Sequence, residues 1–215
     1  SNYLRQMIEK HTNILDKIVV INNHIDNGFK YYETPKKDKF IFFSAGNLKP
    51  SKRFDLLITA FCKAFDSKER VELRIAGSGI EHKKLLKMIL ENGRSHQINL
   101  LGQLNSDEML KEYIHCHCFI LASEVETFGN VYREAMAVGR PVISAKNGGI
   151  MENWEKSFGI LIDVNDVNGC TIALREMISN YDLYNKLYIS NKCMDLYGIN
   201  NTVIKFNKIL SDILK

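Results

Sequence analysis

One pattern limits what this chain can fold into. Short apolar runs rich in β-branched and aromatic residues alternate with segments whose apolar residues recur at helical spacing. Strand patterns cover 17–21, 40–45, 71–76, 98–101, 118–121, 141–144 and 159–162. Helical patterns cover 54–65, 81–91, 106–115, 130–138 and 167–179, and a helical tail runs from 181 to 215 with a break near Gly198. Such regular alternation predicts an α/β doubly wound parallel sheet of Rossmann-like type. Ligands of such sheets bind outside the carboxyl ends of the strands. The loops at Gly46, Gly77, Gly102, Glu126 and Gly148 should therefore share one rim.

Composition narrows the function classes. The chain has 215 residues, with 29 Lys+Arg against 25 Asp+Glu. A formal net charge of +4 suits a small anionic ligand and does not call for nucleic acid. No apolar run reaches the roughly 18 residues of a membrane-spanning helix. Residues 1–10 read as a polar helix rather than a secretory leader. Five scattered cysteines form no disulfide framework, so a reducing cytoplasm is expected. His115-Cys116-His117-Cys118 lacks the ligand spacing of a structural zinc site and leads straight into an apolar strand. It reads as a helix end and a strand start, and no metal is expected. Lys36-Lys37 and Lys83-Lys84 read as solvated faces, and Trp154 as packing.

The main chemical signal lies at 126–134. Glu126 and Glu134 are separated by seven residues across the start of a helix near Asn130. Helical side chains lean toward the N-terminus, so Glu134 can reach a ligand over that end while Glu126 approaches from the loop. Free amides at Gly129, Asn130 and Val131 make an anion site, aided by the helix dipole. Carboxylates accept sugar hydroxyls well. Glutamates early in a helix also complement the dipole with no ligand at all, and for the pair alone that is the preferred reading.

The neighbouring residues carry a resemblance. Glu134-Ala135-Met136-Ala137-Val138-Gly139-Arg140-Pro141-Val142, followed by Gly148-Gly149 and Glu152, resembles the donor-binding signature of retaining GT-B glycosyltransferases of the family-four type. Upstream, 44–52 resembles that family's Gly-Arg-Leu-x-x-x-Lys loop. Gly77-Ser78-Gly79 resembles its Gly-x-Gly turn, and 101–104 its base-side loop. Residues 21–26 resemble the Asn-Gly-x-Asp segment that leads into the second domain. The likeness covers nearly the whole chain, in order.

The resemblance implies a domain that binds a nucleotide-diphosphate sugar. Lys52 and Asn47, on the loop that starts at Gly46, would face the diphosphate, and Glu134 would hold the ribose. Glu126 would hold hydroxyls of the transferred sugar, which makes Lys52 and Glu126 the catalytic candidates. Backbone groups of Phe128, Gly129, Asn130 and Val131 would contact sugar and phosphate, with Gly77, Gln103 and Leu104 on the nucleoside side. It implies no metal and no cofactor, and hexosyl transfer with retention to a glycan or lipid-linked acceptor. Polysaccharide assembly at the inner face of a membrane would be the setting. Residues 1–16 would end a preceding domain, 17–198 would be the nucleotide-sugar domain, and 199–215 a helix crossing back to the first domain. This piece alone is expected to transfer no sugar.

Three residues depart from the family pattern. Asn47 stands at the family arginine, Arg53 at a common glycine and His24 at the glycine of the leading segment. Lys49 or Arg53 is expected to compensate partly for the missing charge at 47. Two other fingerprints fail. The third glycine of a dinucleotide motif falls on His82, and Ser51 and Arg53 break a P-loop. A sugar-nucleotide epimerase of the same architecture and a non-catalytic nucleotide-sugar module are the alternatives.

Overall fold

The computed structural model describes residues 1–11, 18–26, 28–34 and 36–213. Six strands form one parallel sheet: β1 (Phe40–Ala45), β2 (Val71–Ala76), β3 (Ile98–Gly102), β4 (Cys118–Leu121), β5 (Val142–Ala145) and β6 (Gly159–Ile162). Their spatial order is β3-β2-β1-β4-β5-β6, the Rossmann-like order, with the direction of winding reversing between β1 and β4. The central strands are buried on both faces, which is why they read as unbroken apolar runs such as Phe40-Ile41-Phe42-Phe43.

The helices α1 (Asn2–Glu9), α2 (Phe54–Ala64), α3 (His82–Glu91), α4 (Ser106–His115), α5 (Asn130–Ala137), α6 (Val167–Ser179), α7 (Lys186–Tyr197) and α8 (Ile199–Ile213) flank the sheet. Helix α2 packs on α3 and α6, and α5 packs on α7. The core is aromatic around β1 and β4. Phe43, Tyr113, Phe119 and Tyr132 meet edge-on or tilted, with centroids 5.2 to 5.9 Å apart. Arg140 is fully buried, and its guanidinium donates to the carbonyls of Tyr113, Ile114 and Tyr32 and to Thr34 Oγ1. It thereby fastens the segment before β1 to the end of α4.

Two expectations need correction. Lys17 lies outside the described residues, and Ile18–Ile21 is not a strand. A strand needs a neighbouring backbone to ladder with. Here the nearest pairing is a single bridge further on, where the Ile25 amide donates to Tyr197 O at 2.8 Å beside Gly198. The tail is also not helical throughout. A 3-10 turn at Tyr181–Leu183 precedes α7, which Asn185 caps by accepting from the Tyr188 amide at 2.9 Å. The expected break at Gly198 is present, with extended backbone there. Beyond it α8 leaves Val203, Ile204, Phe206 and Leu210 41 to 64% exposed.

His115 ends α4 and Cys116 is fully buried. Burial pushes the Cys116 thiol up to about 12. Trp154 packs edge-on against Phe158 at 6.0 Å.

Candidate functional site

Five loops converge at the carboxyl end of the sheet, around the reversal between β1 and β4. Backbone hydrogen bonds lock them together. Gly46 N–H donates to Ala76 O, Leu48 N–H to Ser78 O and Gly77 N–H to Gly102 O, at 3.1, 2.9 and 2.7 Å. Across the reversal, Glu124 N–H donates to Ser51 O at 2.9 Å, tying the β4 loop to the β1 loop. These contacts are close enough to require glycine. A Cβ on Gly77 would lie 1.9 Å from Gly46 O, and one on Gly148 would lie 1.8 Å from Glu126 O.

The loops enclose a cleft of about 200 Å³ lined by Gly46, Asn47, Gly77, Ser78, Gln103, Leu104 and Val131, among others. Ser78 Oγ donates to Gln103 Oε1 at 3.2 Å, joining the β2 and β3 loops at one wall. Asn47 is exposed at the cleft. Lys52 ends the 3-10 turn of the β1 loop, and the other sequence-expected residues lie on the adjoining β4 loop and α5. Gly129 caps α5 in the left-handed region (φ 78°), where a side chain would collide with the Tyr132 ring. The amides of Gly129, Asn130 and Val131 donate to no acceptor among the described residues, so the helix start carries an unsatisfied positive end. Asn23 Nδ2 donates to Asn130 Oδ1 at 3.2 Å, bringing the leading segment to that helix start.

Lys52 and Glu126 are partners. Lys52 Nζ forms an ion pair with Glu126 Oε1, both side chains being at most 16% exposed. Ser123 Oγ donates to the same oxygen at 3.0 Å. The pairing follows from backbone geometry. A 3-10 turn at Pro50–Lys52 lifts Lys52 toward the β4 loop, and Gly149 N–H donates to Glu126 O at 2.8 Å from the other side.

The expectation for Arg53 does not hold. It adopts left-handed backbone (φ 52°), which fits a position where glycine is common. Its guanidinium, however, is engaged by Asp55 and Glu124, at 3.2 Å each. Lys49 is exposed on the same loop.

Glu134 sits one turn into α5, on the same helix face as Val131. Tyr113 Oη donates to its Oε2 at 2.8 Å, and the tyrosine is fully buried. Burial raises the Glu134 carboxyl above the ordinary range, and the Tyr113 hydrogen bond works against that rise by favouring the charged form. Glu134 Oε1 has no hydrogen-bond partner among the described residues. Tyr113→Phe removes the opposing hydrogen bond, so the Glu134 pKa should rise further. If ionised Glu134 accepts ligand hydroxyls, affinity falls as pH drops through its pKa. In Tyr113→Phe that fall should begin at higher pH. Titrating nucleotide at several pH values checks this, and superimposable profiles would show that Tyr113 does not tune Glu134.

Sequence reasoning missed Arg133. Its side chain is buried between the rings of Phe128 and Tyr197, 3.8 and 4.4 Å from their centroids. It donates to the carbonyls of Phe128 and Gly149, the latter at 2.8 Å. It therefore clamps the loop after Glu126 onto the Gly148-Gly149 turn. A charge on the apolar side of α5, flanked by buried Tyr132 and Met136, was the available signal. Helix α1 covers part of the same rim. Ser1 Oγ donates to Thr127 O, and Glu152 accepts from the Tyr3 amide at 2.7 Å.

Chemically, the arrangement offers anion-binding amides, one lysine shared with a glutamate, and a second carboxylate with a free oxygen. Among the described residues no three His, Cys, Asp or Glu side chains are placed to hold a metal ion. No helix there is long and apolar enough to cross a membrane.

Comparison with known proteins adds an independent line. Residues 29–192 match the family described as glycosyl transferases group 1. An uncharacterized glycosyltransferase of Methanocaldococcus jannaschii is 29% identical over 184 residues, covering 85% of this chain and 49% of that protein. A Campylobacter jejuni N-acetylgalactosamine-N,N'-diacetylbacillosaminyl-diphospho-undecaprenol 4-alpha-N-acetylgalactosaminyltransferase is 31% identical over 176 residues, covering 79% and 47%. The chain thus spans about half the length of these curated relatives. Among solved structures, Anabaena HepE in complex with UDP and glucose superposes with a TM-score of 0.73 at 22% identity, covering 81% of this chain and 49% of that one. That likeness places the fold among GT-B structures.

Proposed function

Since the chain belongs to the group 1 glycosyl transferases, we propose that its cleft holds the nucleotide-diphosphate sugar of a retaining transfer reaction. The observation that supports this reading best is the clustering of unsatisfied α5 amides, Lys52, Glu126 and Glu134 beside a glycine-walled cleft. HepE, which shares the fold, binds UDP and glucose. In this reading the base and ribose lie along Gly77, Gln103 and Leu104, with the ribose hydroxyls on Glu134. The diphosphate lies over the α5 amides and Lys52, and the sugar hydroxyls reach Glu126.

The residues have distinct work in the transfer. As the bond to the sugar breaks, negative charge grows on the departing diphosphate. Amides fixed at a helix start stabilise that charge without reorganising, and Lys52 adds a full charge. Retention requires the acceptor oxygen to attack from the face the diphosphate leaves. Glu126 orients the sugar for that approach. The acceptor, a glycan or a lipid-linked glycan, would be held by the remainder of a protein about twice this length, in line with the half-length coverage of its relatives. On this reading 1–16 ends the first domain, 17–198 holds the donor, and α8 crosses back to cover its exposed apolar face. The chain alone should then bind donor and transfer nothing.

The Lys52–Glu126 pair makes a specific expectation. Lys52→Ala should weaken UDP binding about tenfold, because a charge-assisted contact to phosphate is lost. Glu126→Ala should leave UDP affinity unchanged or raise it, since Lys52 is freed, while weakening UDP-sugar. Asn47→Arg should strengthen UDP binding through a two-pronged phosphate contact. Calorimetric titration of the three variants, with and without EDTA, checks all of this. Equal loss of UDP binding in Glu126→Ala and Lys52→Ala would mean that the pair is structural only.

A further inference from the structure

At the opposite end of the sheet, where β1 and β4 begin, lies a second cavity of about 530 Å³. Its walls include Thr34, Lys36, Lys37, Lys39, His117 and Tyr181. It plays no part in the cleft described above, and its chemistry is one-sided.

His117 stacks on Phe40 with centroids 4.7 Å apart and meets Tyr181 edge-on at 5.4 Å. The Ile41 amide donates to its Nδ1 at 3.0 Å. The proton of the neutral ring must therefore sit on Nε2. No acceptor for Nε2–H exists among the described residues. Burial, together with the charges of Arg140, Lys186 and Lys37, lowers this imidazole to about 4, so it stays a neutral donor.

Thr34 and Tyr181 share one hydroxyl–hydroxyl hydrogen bond of 3.1 Å, while Thr34 Oγ1 also accepts from Arg140 Nη1 at 2.6 Å. Two hydroxyl protons serve one bond, so one proton is left to donate. Behind them the Arg140 guanidinium contacts four neutral oxygens and no carboxylate among the described residues. Lys36 and Lys37 have no acidic partner among the described residues, and Lys39 lies 3.7 Å from Glu72. Of the two acidic lining residues, Asp38 pairs with Arg70 and Asp182 is fully solvated beside Lys186.

An imidazole N–H, a leftover hydroxyl proton and two unpaired ammonium groups, backed by a buried guanidinium, all seek acceptor oxygens. A tetrahedral oxyanion offers oxygens in several directions at once, whereas a carboxylate offers two in one plane. We propose that this cavity is a second anion site, separate from the sugar-nucleotide cleft, that takes a phosphate or phosphate-ester group.

The test follows the His117 ring nitrogens by NMR in the full 215-residue chain. Inorganic phosphate is titrated in one arm and phosphatidylglycerol vesicles in another. A saturable shift of Nε2 is expected, weakened about tenfold by the paired surface changes Lys36→Glu and Lys37→Glu. Lys52→Ala, which alters the other cleft, should leave the shift unchanged. A response to vesicles but not to free phosphate would support the site and assign the group to a lipid headgroup. No saturable shift in either arm would overturn the proposal. So would a shift that the two lysine changes leave intact, or one that Lys52→Ala abolishes.

Discussion

Glu134→Ala should lower the affinity of this chain for UDP at least about tenfold. A helix-held carboxylate that accepts ribose hydroxyls makes charge-assisted hydrogen bonds of about 1.5 to 3 kcal/mol each. Each 1.4 kcal/mol lost is about a factor of ten in affinity. The pH dependence of stability should change as well, on top of the cost of leaving the buried Tyr113 hydroxyl without its acceptor. The folded pKa of Glu134 is raised by burial, so its contribution is present at low pH and lost as pH rises through that folded value. Removing the carboxyl removes this penalty, so Glu134→Ala should be relatively more stable at neutral than at acid pH. Urea unfolding at two pH values, alongside UDP titration, separates the two effects. An unchanged UDP affinity with the fold intact would remove Glu134 from the ribose role.

Gly77→Ala should damage both fold and site. Its Cβ would lie 1.9 Å from Gly46 O, and φ there is +139°, a conformation that side chains rarely adopt. The β1 and β2 loops would have to separate, breaking the wall of the cleft they line. Overpacking of this kind costs about 1 to 3 kcal/mol or more. Gly93→Ala is the control. Gly93 is also left-handed (φ +64°), but a Cβ there meets nothing within 4 Å. It should cost only the conformational term, about 1 kcal/mol, and leave UDP binding intact. Equal effects of the two changes would mean that the loops around Gly77 are not packed as described.

Much of the sheet was legible from sequence because parallel strands are buried on both faces. Phe40–Ala45 and Cys118–Leu121 announce themselves as unbroken apolar runs. The same signal misled at 18–21. Apolar composition shows that a segment wants burial, not that a partner strand is there to ladder with. Helix α5 and its start near Asn130 were legible because the helical pattern there is local. The Lys52–Glu126 pair was not, since its members lie 74 positions apart and only the fold brings the β1 and β4 loops together. Arg133 was hidden for a different reason. Its partners are carbonyls and ring faces rather than carboxylates, so no opposite charge in the sequence marks the interaction.

The most direct test of the central claim is calorimetric titration of the chain with UDP, GDP, ADP and CMP, and then with the sugar conjugate of whichever diphosphate binds. The account predicts saturable binding of at least one nucleoside diphosphate in the presence of EDTA, loss of affinity in Glu134→Ala, and a further contact to the sugar that Glu126→Ala removes. Binding of none of these nucleotides by the folded chain, or binding that Glu134→Ala and Lys52→Ala leave untouched, would contradict it.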